Sequence, residues 1–109
     1  MNPAIELAGS IDQYKTICIS TGHIRSSDAE KLKEDGDNPS QNMIMTRDTG
    51  FFVKLYSDDD DEVRVLEQDY PGYSEAFYNV MKHVKEAGFT LVEFDCDATV
   101  YNSLPTFDW

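Results

Sequence analysis

Ser74–Cys96 reads S-E-A-F-Y-N-V-M-K-H-V-K-E-A-G-F-T-L-V-E-F-D-C, a helix that stops on a glycine and leads into a strand. Ser74 is an N-cap type, and Glu75 suits the positive end of the helix dipole. Phe77, Val80, Met81 and Val84 fall at i, i+3, i+4 and i+7, which gathers them into one apolar stripe. Lys82, His83 and Lys85 sit near the C-terminal end, and Gly88 stands where a left-handed residue closes a helix. Phe89–Cys96 then reads as a strand. An amphipathic helix beside an apolar strand calls for a helix-on-sheet core.

Working outward, Lys15–Ser20 (K-T-I-C-I-S) is a β-branched run and a second buried strand. Ser27-Asp28-Ala29-Glu30 fits a capping box, with Ser27 as N-cap, for a short helix ended by Gly36 and Pro39. Residues 35–42 are loop by composition. Met43–Arg47 and Phe51–Tyr56 read as paired strands. Asp48-Thr49-Gly50 between them is a hairpin turn, with Gly50 available for a positive φ. Ser57–Asp61 is an acidic loop; Glu62–Tyr70 reads either as a strand, by the alternation of Val63 and Val65, or, preferred, as a short helical turn, by the spacing of Val63, Leu66 and Tyr70, ended by Pro71-Gly72. Residues 1–13 form a tail or a helical turn capped by Asn2, with Pro3 first and Gly9 last. Residues 14–109 are expected to be a single α+β domain. It has a four-stranded sheet and two main helices in β-α-β-β-α-β order, which admits a ferredoxin-like fold. An irregular sandwich with helices on one sheet face is the alternative.

The chain has 109 residues and a formal net charge of -12. Residues 1–56 carry eight acids against six bases, and residues 57–109 thirteen acids against three bases. Such a surface repels nucleic acid and anionic membrane and attracts cations or basic protein surfaces. Six Phe, six Tyr and one Trp are too many apolar rings for a disordered acidic chain. Cys18 and Cys96 each sit in an apolar run and read as buried free thiols, not a disulfide scaffold. No apolar run approaches a membrane span and no signal peptide is visible, so a cytoplasmic protein is expected.

Three constellations bear on chemistry. Phe94-Asp95-Cys96-Asp97-Ala98-Thr99-Val100 resembles the D-x-D-x-T/V signature of haloacid-dehalogenase-type phosphotransferases. In that superfamily the first Asp is the nucleophile and the second the acid/base, with Mg²⁺ on the phosphate. Only twelve residues follow Asp97, which leaves no room for the later Lys and acidic motifs. A strand end with two solvated carboxylates is the plainer reading. Asp58, Asp59, Asp60, Asp61 and Glu62 form an unbroken acidic run that splays its oxygens and lacks the spacing of an EF-hand loop. It reads as a solvated or partner-binding loop, not a metal site. His23 follows a strand beside Ser20, Thr21 and Gly22, where catalytic groups often sit, yet a hydrogen-bonded turn explains it as well. Neither cysteine lies in a C-x-x-C, so zinc is not expected, and no cofactor motif is present.

Ile19-Ser20-Thr21-Gly22-His23-Ile24, Gly50-Phe51-Phe52-Val53, Ser74-Glu75-Ala76-Phe77, Phe94-Asp95-Cys96-Asp97 and the closing Leu104-Pro105-Thr106-Phe107-Asp108-Trp109 occur in this order. Together they resemble a small uncharacterised bacterial domain family of plasmids, phages and genomic islands. The resemblance implies no catalytic residues. It implies a mobile-element setting, where small acidic proteins often counter host defences. The expected function is therefore a non-enzymatic interaction protein that inhibits a nucleic-acid-binding defence protein, of anti-CRISPR or anti-restriction type, by nucleic-acid mimicry. Its partner would be a basic protein surface. The candidate contact residues are Asp58–Glu62, Glu93, Asp95, Asp97, Asp108 and Trp109. The alternative is a small metal-dependent hydrolase or phosphoryl-transfer enzyme using His23, Asp95 and Asp97.

Overall fold

The computed structural model describes residues 2–41, 43–55 and 66–109. The elements, in order, are α1 (Pro3–Ala8), β1 (Thr16–Ser20), a 3-10 turn (Thr21–His23), α2 (Ser26–Gly36), β2 (Ile44–Arg47), β3 (Gly50–Lys54), α3 (Leu66–Asp69), α4 (Glu75–Glu86) and β4 (Leu91–Asp95). The fold is α+β around one four-stranded mixed sheet. The acidic run Asp58–Glu62 lies outside the described residues.

The sheet order is β1-β4-β3-β2. β1 and β4 run parallel, with Ile17 opposite Val92 and Ile19 opposite Phe94. β3 is antiparallel to β4 and to β2. The β-α-β-β-α-β element order holds, but the ferredoxin-like sheet does not form. A split β-α-β unit inserts one strand between its two parallel strands, whereas here both β4 and β3 lie between β1 and β2.

Period-2 alternation assigns the two faces of the sheet. Ile19, Val92, Phe94, Val53 and Ile44 point into the core with Leu32 of α2 and Phe77, Val80, Met81 and Val84 of α4. Phe77 sits at its centre, with Tyr73 stacked on it at a ring separation of 4.2 Å. Cys18, Glu93, Asp95, Phe52, Lys54, Met45 and Arg47 occupy the opposite face by the same register. Cys18 is therefore exposed, not buried, because it alternates with Ile17 and Ile19. Cys96 is exposed because β4 ends one residue before it.

The helix ends obey local chemistry, with one correction. Ser74 caps α4 by accepting from the Phe77 N–H, and Gly88 takes a φ of 90° after its end. Asn2 caps α1 through the Ala4 N–H. For α2 the expected box of Ser27 and Glu30 is displaced. The helix starts at Ser26, Arg25 is the N-cap, and the Asp28 carboxylate accepts from the Arg25 N–H at 2.9 Å. Asp28 wins because it is fully buried and serves a second helix start. It also accepts from the Ser74 N–H (2.8 Å) and the Ser74 hydroxyl (2.6 Å). One carboxylate thus joins the N-termini of α2 and α4, where both helix dipoles favour negative charge.

The β2–β3 turn also differs. Gly50 has no positive φ and is the first residue of β3. Its need for glycine is steric. A Cβ there would lie 1.7 Å from the Phe94 carbonyl oxygen.

Candidate functional site

The chain after β4 folds back over the free edge of β1 and the 3-10 turn. The Ser20 N–H donates to the Thr99 carbonyl at 3.1 Å, and the Phe107 N–H to the Gly22 carbonyl at 2.8 Å. The Tyr101 hydroxyl donates to the Cys18 carbonyl at 3.1 Å. His23 is the buried clamp of this segment. Its Nδ1 lies 2.7 Å from the Pro105 carbonyl, and its Nε2 accepts from the Tyr101 N–H at 2.8 Å. A carbonyl only accepts and an amide only donates, so the ring is neutral with its proton on Nδ1.

Both nitrogens of His23 are thereby committed to backbone. No hydrogen bond joins His23 to Asp95 or Asp97 among the described residues, and the set expected of a hydrolase does not converge through it. His23→Leu is expected to cost about 2 kcal/mol, since it orphans a buried N–H and a carbonyl. It should also change the emission of Trp109, the chain's one tryptophan. Urea unfolding followed by that emission measures both effects.

Trp109 is partly tethered. Its indole N–H donates to the Ile24 carbonyl at 3.0 Å, while 61% of the residue stays exposed. Phe107, two residues earlier, is half-buried beneath the Arg25 guanidinium at 4.3 Å. Phe107 folds back onto the domain, and Trp109 keeps a fixed ring open to solvent.

The candidate carboxylates divide into two groups. Glu93 and Asp95 project from β4 on the face away from the helices, and Arg47 of β2 bridges them. It contacts Glu93 directly and lies 3.8 Å from Asp95. Asp95 also accepts from the Asp97 N–H at 2.8 Å and the Thr49 hydroxyl at 3.0 Å. These donors, the Asp97 amide foremost, then Thr49 and the Arg47 charge, hold its carboxyl below the usual range. Its contacts therefore persist in mild acid and are lost only as pH falls through that lowered value. The Cys18 thiol on the same face is pushed up by burial and by the charges of Glu93 and Asp95, with Arg47 opposing. Asp97 and Asp108 are exposed.

Asp95, Cys96 and Asp97 bring one ligand atom each within 4.8 Å of one another. Both Asp95 oxygens already accept hydrogen bonds, which weakens that cluster as a cation site. Thr21, Lys33, Asp48, Phe51, Cys96 and Trp109 border a cleft of about 590 Å³. It opens at the carboxyl ends of the two parallel strands β1 and β4, the end at which open α/β sheets commonly bind their ligands. Its charges are mixed, because Arg47, Lys33 and Asp48 all line it.

The sequence places Glu93 and Asp95 in the last strand but gives no sign of Arg47, whose single charge offsets one of the two. The signal lies in the β2–β3–β4 register, which sets Arg47 opposite Gly50 and Gly50 opposite Asp95. No local pattern gives that pairing.

Residues 16–109 match the C-terminal domain of a family of unknown function, DUF5983. The chain belongs to this family. The match covers every strand, the clamp at His23 and the tethered Trp109, so the DUF5983 domain is the sheet, its helices and the returning C-terminal segment. Helix α1 precedes it. No curated protein and no solved structure matches the chain. Among the described residues, no helix is long and apolar enough to cross a membrane.

Proposed function

We propose that this DUF5983 chain is an acidic, non-enzymatic interaction protein that binds a basic, nucleic-acid-binding surface on a partner protein. The partner class is a bacterial defence nuclease or surveillance complex, and binding blocks its nucleic-acid groove. The observation that carries this reading is Trp109. An indole tied at its N–H yet exposed over most of its surface loses little entropy when a partner covers it. Exposed Asp97 and Asp108 lie next to the cleft and to Trp109 in sequence, and Asp48 lines the same cleft as its ring. An aromatic platform among carboxylates suits an arginine-rich surface, through charge and through stacking on the indole.

The net charge of -12 supports long-range attraction to such a partner. Glu93 and Asp95, held by Arg47, contribute less than Asp97 and Asp108, since Arg47 offsets part of their charge. The test is capture of the bound protein from a bacterial host, followed by titration of that purified partner. Trp109→Ala should weaken binding about 30-fold, the loss expected of a hot-spot residue. The paired change Asp97→Asn with Asp108→Asn should slow association more than it speeds dissociation. Unchanged affinity in Trp109→Ala would remove the tethered ring from the interface and overturn this reading of the site.

A further inference from the structure

The outer face of the sheet differs from the rest of the molecule in charge. Its strand positions carry Arg47 and Lys54 against Glu93 and Asp95, so the face is neutral on a chain of net charge -12. It is also apolar in part. Met45 is exposed, and Phe52 and Leu91 are half-buried. All buried helix residues belong to the opposite layer, and among the described residues no helix packs on this face. Beside it, the Lys54 ammonium sits 4.8 Å over the Tyr14 ring, which brings the end of the N-terminal segment to the same face. Among the described residues, that segment holds most of the exposed large apolar ones. Ile5, Leu7 and Tyr14 are largely exposed, Ile11 is 97% exposed, and α1 buries nothing.

We propose that this face binds a second copy of the chain, with the N-terminal segment of each copy lying across the sheet of the other. One argument selects a second copy over an unlike partner, and a second shows that the N-terminal segment must take part. A basic partner gains little on a face of zero net charge, and two copies of a chain of net charge -12 repel least where their neutral faces meet. A two-fold contact can instead oppose Arg47 and Lys54 of one copy to Glu93 and Asp95 of the other, a self-complementary arrangement. The second argument is area. Four strands of four or five residues span on the order of 300 Å², from strand spacing and rise. That is well short of the roughly 800 Å² per partner of a stable interface. The sheet face cannot suffice alone, and Ile5, Leu7 and Ile11 are the neighbouring apolar groups able to supply the remainder.

The salt response sets this association apart from partner binding. Net repulsion between two copies is screened by salt, so self-association strengthens as ionic strength rises, while attraction to a basic partner weakens. The experiment is light scattering of the full chain across protein concentration in low and high salt, on wild type, Met45→Glu and Ile11→Asp. Both substituted side chains are exposed, and circular dichroism checks that each variant is folded. Alkylation rates of Cys18 and Cys96 are followed in parallel. The expected result is a concentration-dependent dimer favoured by high salt and weakened at least tenfold in each variant. Alkylation of Cys18, on the face, slows as dimer forms, and that of Cys96 does not. A monomer at every concentration and salt overturns the proposal. So does a dimer that both variants leave intact, or one in which Cys18 stays as reactive as in the monomer.

Discussion

Gly50→Ala should destabilise the domain by about 3 kcal/mol or more, the upper range of overpacking. The added Cβ would meet the Phe94 carbonyl oxygen at 1.7 Å and the carbonyl carbon at 2.8 Å. Both belong to the backbone of β4, whose side chain Phe94 is fully buried and packs toward Phe77. No rotamer change relieves the contact. Relief requires moving β3 from β4 and giving up the Gly50–Asp95 pairing, and with it the Thr49 and Arg47 contacts to Asp95. Gly9→Ala is the control, since its Cβ would meet nothing closer than 3.6 Å. Urea unfolding should show a large fall in midpoint for Gly50→Ala and almost none for Gly9→Ala. Equal midpoints for wild type and Gly50→Ala would refute the close strand approach.

Asp28→Ala should be as damaging, at about 4 kcal/mol. The change leaves the Arg25 N–H, the Ser74 N–H and the Ser74 hydroxyl without their acceptor in a buried site. Hydrogen bonds to a charged group are worth about 1.5–3 kcal/mol each, and orphaned donors add their desolvation. The loss also uncouples two helix starts, so α2 and α4 should both lose amide-exchange protection in their first turns. Asp28→Asn keeps the shape but offers a single acceptor oxygen, and should recover less than half of the loss. An Asp28→Ala protein within 1 kcal/mol of wild type, with α4 unaffected, would show that the carboxylate does not join the helices.

Most of the fold was legible because its signals are local. The stripe from Phe77 to Val84, the Ser74 cap and Gly88 specify α4 without reference to the rest of the chain. The alternation in Thr16–Ser20 and Leu91–Asp95 specifies two strands. Strand order was not legible, because a strand with a suitable inner face can take any slot, and the parallel pairing of β1 with β4 depends on partners 75 residues apart. The sequence points to Ser27 and not Asp28 because Ser27 offers a box by spacing alone, while Asp28's second partner, Ser74, lies 46 residues away. The candidate site was legible in part. Trp109 stood out by its type and place, and the acids by their count. The clamp of His23 on Pro105 and Tyr101, and the partial compensation of Glu93 and Asp95 by Arg47, exist only after folding.

Under the proposed function, carboxylates and a tethered tryptophan direct this chain onto a basic, nucleic-acid-binding surface. The most direct measurement is the affinity and association rate of the captured partner across a salt series, with nucleic acid as competitor. Raising salt from about 0.05 to 0.5 M shortens the Debye length several-fold. Affinity should fall at least tenfold, mainly through slower association, and nucleic acid should displace the chain. Binding that is indifferent to salt and coexists with nucleic acid on the partner would contradict that function.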